Sequence, residues 1–212
     1  MEIIERNFLT NDWITLTFIV GGILLALMKL FKPQHLLGYA IAFFTQGFIE
    51  KKAEENPSIF TPFHAVLFAF SIITISLTGY LILPYFGFQQ NFLVFLGILG
   101  GTAIYFSVKT GLHQLFAFVL DIEDYTRYFL FTKNGYLYTL CLWLFPVLIV
   151  HQYWLKNTSI LIVLVLILFA FRGLLILFNN KKIVFHKLFY FILYFCTLEL
   201  APLLILYKTI TK

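Results

Sequence analysis

Long, nearly uncharged apolar runs, separated by short polar connections that carry most of the lysines, constrain this chain more than any other feature. A helical crossing of the ~30 Å hydrocarbon layer needs roughly 20 mostly apolar residues. Six runs qualify: Trp13–Phe31, Phe60–Leu83, Asn91 to about Val108, Asn134–Trp154, Thr158–Phe178 and Val184–Tyr207. Of the 212 residues, 61% are hydrophobic and 12% charged. That is too much apolar surface for a water-soluble domain of this size to hide, so lipid is the expected solvent. Unpaired backbone groups are costly in lipid, so these runs are expected to be helices. The predicted fold is an all-α polytopic membrane bundle of about six transmembrane helices. No linker or repeat interrupts it, and the longest polar stretch, Glu50–Pro57, is too short to fold alone. The expectation is a single transmembrane domain over residues 1–212.

Leu36–Ile49 is apolar but only about 14 residues long, short for a span. Leu36, Leu37, Ala40, Phe43, Phe44, Gly47 and Phe48 recur at helical spacing. Pro33 is placed to start this helix and Glu50-Lys51-Lys52 to end it. It reads as a helix lying in the interface, a seventh crossing being the alternative. The third run overshoots past Lys109 into an aromatic stretch holding Tyr125, Tyr128, Phe129 and Phe131, residue types suited to headgroup depth. Gly97 and Gly101 form a small-xxx-small pair that permits close helix approach. Pro84, Pro146 and Pro202 mark span ends or kinks.

The net charge of +5 is explained better by membrane orientation than by nucleic acid, which is not expected as a partner. With the N-terminus outside, Lys29, Lys32, Lys51, Lys52, Arg127, Lys133, Lys181, Lys182 and Lys187 face the cytoplasm. Only Arg6, Lys156, Lys208 and Lys212 then lie outside. The bias predicts both termini outside the cytoplasm. The segment MEIIERNFLTND lacks a basic start and a small-residue cleavage site, so no cleavable signal is expected.

Ionisable groups inside spans cost about 2.5–3.5 kcal/mol each and are functional candidates by default. Arg172 and Glu199 are two such groups, about 10 Å apart along the membrane normal at 1.5 Å per residue. Three readings fit them: an ion pair locking adjacent helices, a snorkelling arginine with a protonated glutamate, or a proton or substrate site. A second candidate set lies toward the cytoplasmic face. Lys109 and His113 share a helix face and suit an anionic headgroup or phosphate, or simple snorkelling. Asp121, Glu123 and Asp124 follow them beside Arg127, in a pattern typical of a solvated face.

No metal site is expected, and no cofactor. His64, His113 and His186 fall near cytoplasmic helix ends and His151 near an outer one, so no histidine pair sits at mid-membrane for a haem. Cys141 and Cys196 lie within apolar runs and read as small hydrophobes rather than a disulfide. The chain has no HExxH, Gly-rich phosphate loop, nucleophile elbow or CxxC, which lowers the expectation of an enzyme.

The stretches DIEDYTRYFLFTKNGYLYTLCLWLFPVLIV and FHKLFYFILYFCTLELAPLLILYK carry a resemblance. An acidic residue (Glu123 or Asp124) with Tyr125 is followed by Asn134 ahead of a helix with Pro146. Tyr194, Cys196, Thr197, Leu198, Glu199 and Pro202 stand in the last helix. The chain resembles a family of Bacteroidota multi-pass inner-membrane proteins catalogued as domain of unknown function four-two-seven-one. Leu200-Ala201 departs from the two bulky residues of that pattern. The resemblance implies location and topology and brings no activity. Three functions therefore stay open: a non-enzymatic component packing against other membrane proteins, a small transporter or proton-coupled channel using Arg172 and Glu199, and a lipid-modifying enzyme at the cytoplasmic face.

Overall fold

A computed structural model describes residues 12–45, 47–54, 61–87, 91–119, 123–155 and 157–179. Apart from short turns, these residues are helical. In order come α1 (Asp12–Phe31), α2 (Pro33–Ile41), α3 (Phe48–Glu54), α4 (Pro62–Ile82), α5 (Phe92–Val119), α6 (Glu123–Val150) and α7 (Thr158–Asn179). By internal contacts, Met1–Arg172 forms one compact unit and Gly173–Lys212 a second, of which only the last turns of α7 are described.

Five helices are long and apolar enough to cross a membrane: α1, α4, α5, α6 and α7. They coincide with the first five runs read from the sequence. The sixth expected crossing, Val184–Tyr207, lies outside the described residues.

Helices α4 and α6 form the core of the first unit. In their most apolar stretches 50% and 61% of residues are buried, against 6% for α5, whose Leu93, Leu96, Ile104 and Val108 are exposed. The reason is legible in the spacing of the buried residues. Along α4 they include Phe63, Leu67, Phe70, Thr74, Leu77 and Leu81; along α6, Leu130, Leu137, Cys141, Leu144, Leu148 and, just beyond it, His151. Steps of mostly three and four residues place each set on one stripe, the repeat that lets two helices interlock over a long seam. Three contacts fix the pairing. His64 packs on Phe131, the Cys141 thiol donates to the Ser71 carbonyl at 3.9 Å, and Phe70 meets Phe145 edge-on at 5.2 Å. From His64–Phe131 to the Ser71–Cys141 and Phe70–Phe145 level the numbers rise on both helices, so α4 and α6 run parallel. On α5 the partners of Phe68, Ser76 and Tyr80 are Phe106, Thr102 and Phe95, a falling order that makes it antiparallel to α4. Thr15 and Phe18 of α1 reach Tyr153 and Phe145, so α1 runs antiparallel to α6.

The ends of α1 and α5 and the starts of α4 and α6 therefore share one end of the bundle, with Lys29, Lys32, Lys51 and Lys52. At the opposite end Trp13 rests against Tyr80, Phe92 and Phe95, an aromatic cluster of the kind that sits at headgroup depth.

The structure corrects the reading of Leu36–Ile49 as one interfacial helix. Two short helices occupy the region, separated by a turn in which Gly47 takes a left-handed φ of 99°. Neither is long enough to cross. Tyr39, Ala42, Phe43, Ile49 and Ala53 are buried, so these helices pack on the bundle as well as bordering the lipid. Trp143 of α6 donates to the Ala40 carbonyl at 2.9 Å, satisfying a group that the end of α2 leaves without a helical partner.

The glycines at close approaches also differ from expectation. A methyl group at Gly97, Gly100 or Gly101 would meet nothing within 4 Å. Close approach occurs instead at Gly135, where such a carbon would come 2.8 Å from Ile49 Cγ2, at Gly21 against Phe145 and at Gly38 against Phe48. Ile49 is buried, so it has little room to yield. Gly135→Ala is expected to destabilise the protein by about 1–3 kcal/mol through overpacking. Gly101→Ala, with open space and a better helix former, is expected to leave it unchanged or raise it by up to about 1 kcal/mol. Thermal unfolding in detergent checks both; an equal fall in the two variants contradicts the packing.

Candidate functional site

The polar groups of the described core are mostly turned inward on their own helices. The hydroxyls of Ser71, Thr74, Ser76 and Thr78 each donate to the carbonyl four residues back, at 2.7–2.9 Å. Thr132 and Thr139 do the same in α6. Such back-bonding satisfies a hydroxyl in an apolar setting without a second helix or water. Between these groups Leu67, Phe70, Leu77, Leu140, Leu144 and Leu148 fill the seam.

Polar side chains converge at the basic end. Thr61 caps α4 and accepts from the His64 backbone N–H at 3.4 Å. Pro62 at the first helical position presets that start. The cap brings the Thr61 hydroxyl onto His64 Nδ1, while His64 Nε2 meets the Tyr39 hydroxyl at 3.1 Å. Tyr39 is the hub: its ring contacts Phe48, Phe63, His64 and Tyr138. Burial, and secondarily Tyr138, pushes its hydroxyl above the ordinary tyrosine range, so it stays protonated. Beside it opens a cleft of about 410 Å³, counting its mouth, lined by Tyr39, His64, Thr110, Leu130, Phe131, Asn134 and Tyr138. Its interior has room for about one water molecule. Lys52 donates to His35 Nε2 at 3.2 Å nearby.

The candidates read from the sequence are not gathered in this cleft. Arg172 is half-buried and donates from Nη2 to the Lys133 backbone carbonyl at 3.3 Å; Glu199 lies outside the described residues. Lys109 donates to the Tyr105 hydroxyl at 3.3 Å and sits 5.3 Å from that ring's centre, an arrangement within its own helix face. Asp121 lies outside the described residues, as do the side chains of His113, Glu123 and Asp124. As for metal or haem ligation, both ring nitrogens of His64 are engaged by hydroxyls, and His35 Nε2 by Lys52. His151, buried at the opposite end, sits by the Asn157 backbone. The cleft escapes sequence reasoning because Tyr39 falls in a segment that reads as interfacial. The Thr61-Pro62 cap that aims His64 is the available signal.

The family model described as a domain of unknown function, DUF4271, matches residues 14–210. The chain belongs to the DUF4271 family. Comparison with curated proteins and with solved structures gives no match. Of the positions that carry the resemblance to DUF4271, Asn134 lines the cleft and Pro146 lies inside α6.

Tyr39→Phe removes the bond to His64 and is expected to cost about 1 kcal/mol at neutral pH. Because the folded-state pKa of Tyr39 is raised, its contribution is complete below the unfolded value of about 10 and is lost as pH rises through the folded value. The wild type should therefore lose thermal stability above about pH 10 more steeply than Tyr39→Phe. Parallel pH profiles for the two proteins contradict this.

Proposed function

We propose that this DUF4271 protein is a non-enzymatic component of the bacterial inner membrane that packs against other membrane proteins. The carrying observation is the filled seam between α4 and α6, whose hydroxyls are spent on their own backbone and line no polar path. Helices in lipid associate through close packing and hydrogen bonds rather than hydrophobic drive, and this core uses both. A transport pathway through the first unit wants polar groups open along its length. The Arg172 bond to a backbone carbonyl of α6 supports a role in holding helices together. The lysine bias supports a cytoplasmic basic end and both termini on the other side, as for a Bacteroidota inner-membrane protein.

Two measurements test this reading. Purified in mild detergent from its native membranes, the protein is expected in a stoichiometric complex with another membrane protein. Recovery as an isolated chain that, in liposomes, carries a solute or protons in a manner abolished by Arg172→Leu contradicts it. For orientation, a reporter active only in the cytoplasm and fused after Lys212 is expected to be silent, and a signal reverses the topology.

A further inference from the structure

The cleft at the basic end holds hydrogen-bonding capacity that the protein does not use. Tyr138 is 7% exposed, and its hydroxyl makes no hydrogen bond among the described residues. It borders the cleft beside Asn134, whose side-chain amide makes none either among those residues. The Tyr138 hydroxyl is not among the sealed-off unpaired atoms of the described residues, so it keeps an opening through which an oxygen atom seated in the cleft can bond to it. The surroundings select the charge of that oxygen. The ammonium groups of Lys32 and Lys52 lie near enough for their charge to act on His64 at the cleft wall. Leu130 and Phe131 supply an apolar wall beside the polar lining. The interior is sized for a single oxygen, so the rest of any ligand stays at the mouth, where lipid headgroups lie.

We propose that this cleft binds one oxygen of a phosphate group, carried by an anionic lipid headgroup or by a soluble phosphate. Tyr138 and Asn134 donate to it, and the basic rim balances its charge. Tyr39 completes the donor set through His64. We take His64 as the Nε2–H tautomer: Thr61, which accepts the His64 backbone N–H, then donates its own proton to Nδ1, and Nε2–H donates to the Tyr39 oxygen. The Tyr39 proton is then free to point into the cleft. The apolar wall lies where the glycerol of a seated lipid would rest.

The test uses the full chain in nanodiscs of phosphatidylcholine with a minor share of phosphatidylglycerol, followed by gentle extraction and native mass spectrometry. Wild type is expected to retain about one phosphatidylglycerol. Tyr138→Phe, which keeps the ring against Tyr39, and Asn134→Ala should each retain about tenfold less at unchanged thermal stability. Added inorganic phosphate separates the sources. Retention that resists it supports the lipid; displacement, with phosphate bound to wild type and not to Tyr138→Phe, supports the soluble form. No anion retained above phosphatidylcholine, or retention by both variants equal to that of wild type, overturns the proposal and leaves the cleft to water.

Discussion

The parallel seam between α4 and α6 is the interaction on which the rest of the described structure depends. Both helices place buried residues mostly at steps of three and four, and the two stripes lock together from Phe63 to Leu148. Lipid offers apolar side chains as good a solvent as a protein core, so burial alone does not hold such helices together. Close contact does, as at Gly21 against Phe145 and Gly135 against Ile49, supported by cross-helix bonds such as Trp143 to Ala40. α1 and α5 dress this pair and turn their remaining apolar faces outward.

The seam also decides where chemistry is possible. At mid-membrane the hydroxyls of α4 are consumed by its own carbonyls, and leucine and phenylalanine fill the space. Among the described residues, the largest gathering of polar side chains is where α4 and α6 begin, because there the cap at Thr61 and the short helices α2 and α3 bring polar groups together without a membrane-deep cost. Tyr39 joins these elements: its ring packs on three of them and its hydroxyl holds His64.

Much of this is legible in the sequence. The first five apolar runs become five helices because about twenty apolar residues in lipid have little alternative to hydrogen-bonding within themselves. Leu36–Ile49 reads as one helix because its apolar residues keep a helical spacing through Phe43, Phe44, Gly47 and Phe48, a pattern that outweighs the turn signal of Gly47. Gly97 and Gly101 mislead because a small-residue pattern says that helices can approach, not that a partner is there. Apart from the Thr61-Pro62 cap, the cleft leaves no mark in the sequence, for a related reason. Tyr39, His64, Asn134 and Tyr138 are ordinary residues in separate segments, and only the parallel register of α4 with α6 puts them side by side.

Cys141 reports directly on whether the α4–α6 seam is closed and dry at mid-membrane, the property from which the rest follows. Its side chain is fully buried against α4. In a Cys196→Ala background, leaving Cys141 as the only cysteine, the measurement is its labelling by a small membrane-permeant maleimide in intact membranes and after denaturation. A closed seam predicts no modification until the protein is unfolded. Labelling of the folded protein at the rate of an exposed thiol would mean that water reaches the centre of the bundle, and a dry, interlocked α4–α6 core would be contradicted.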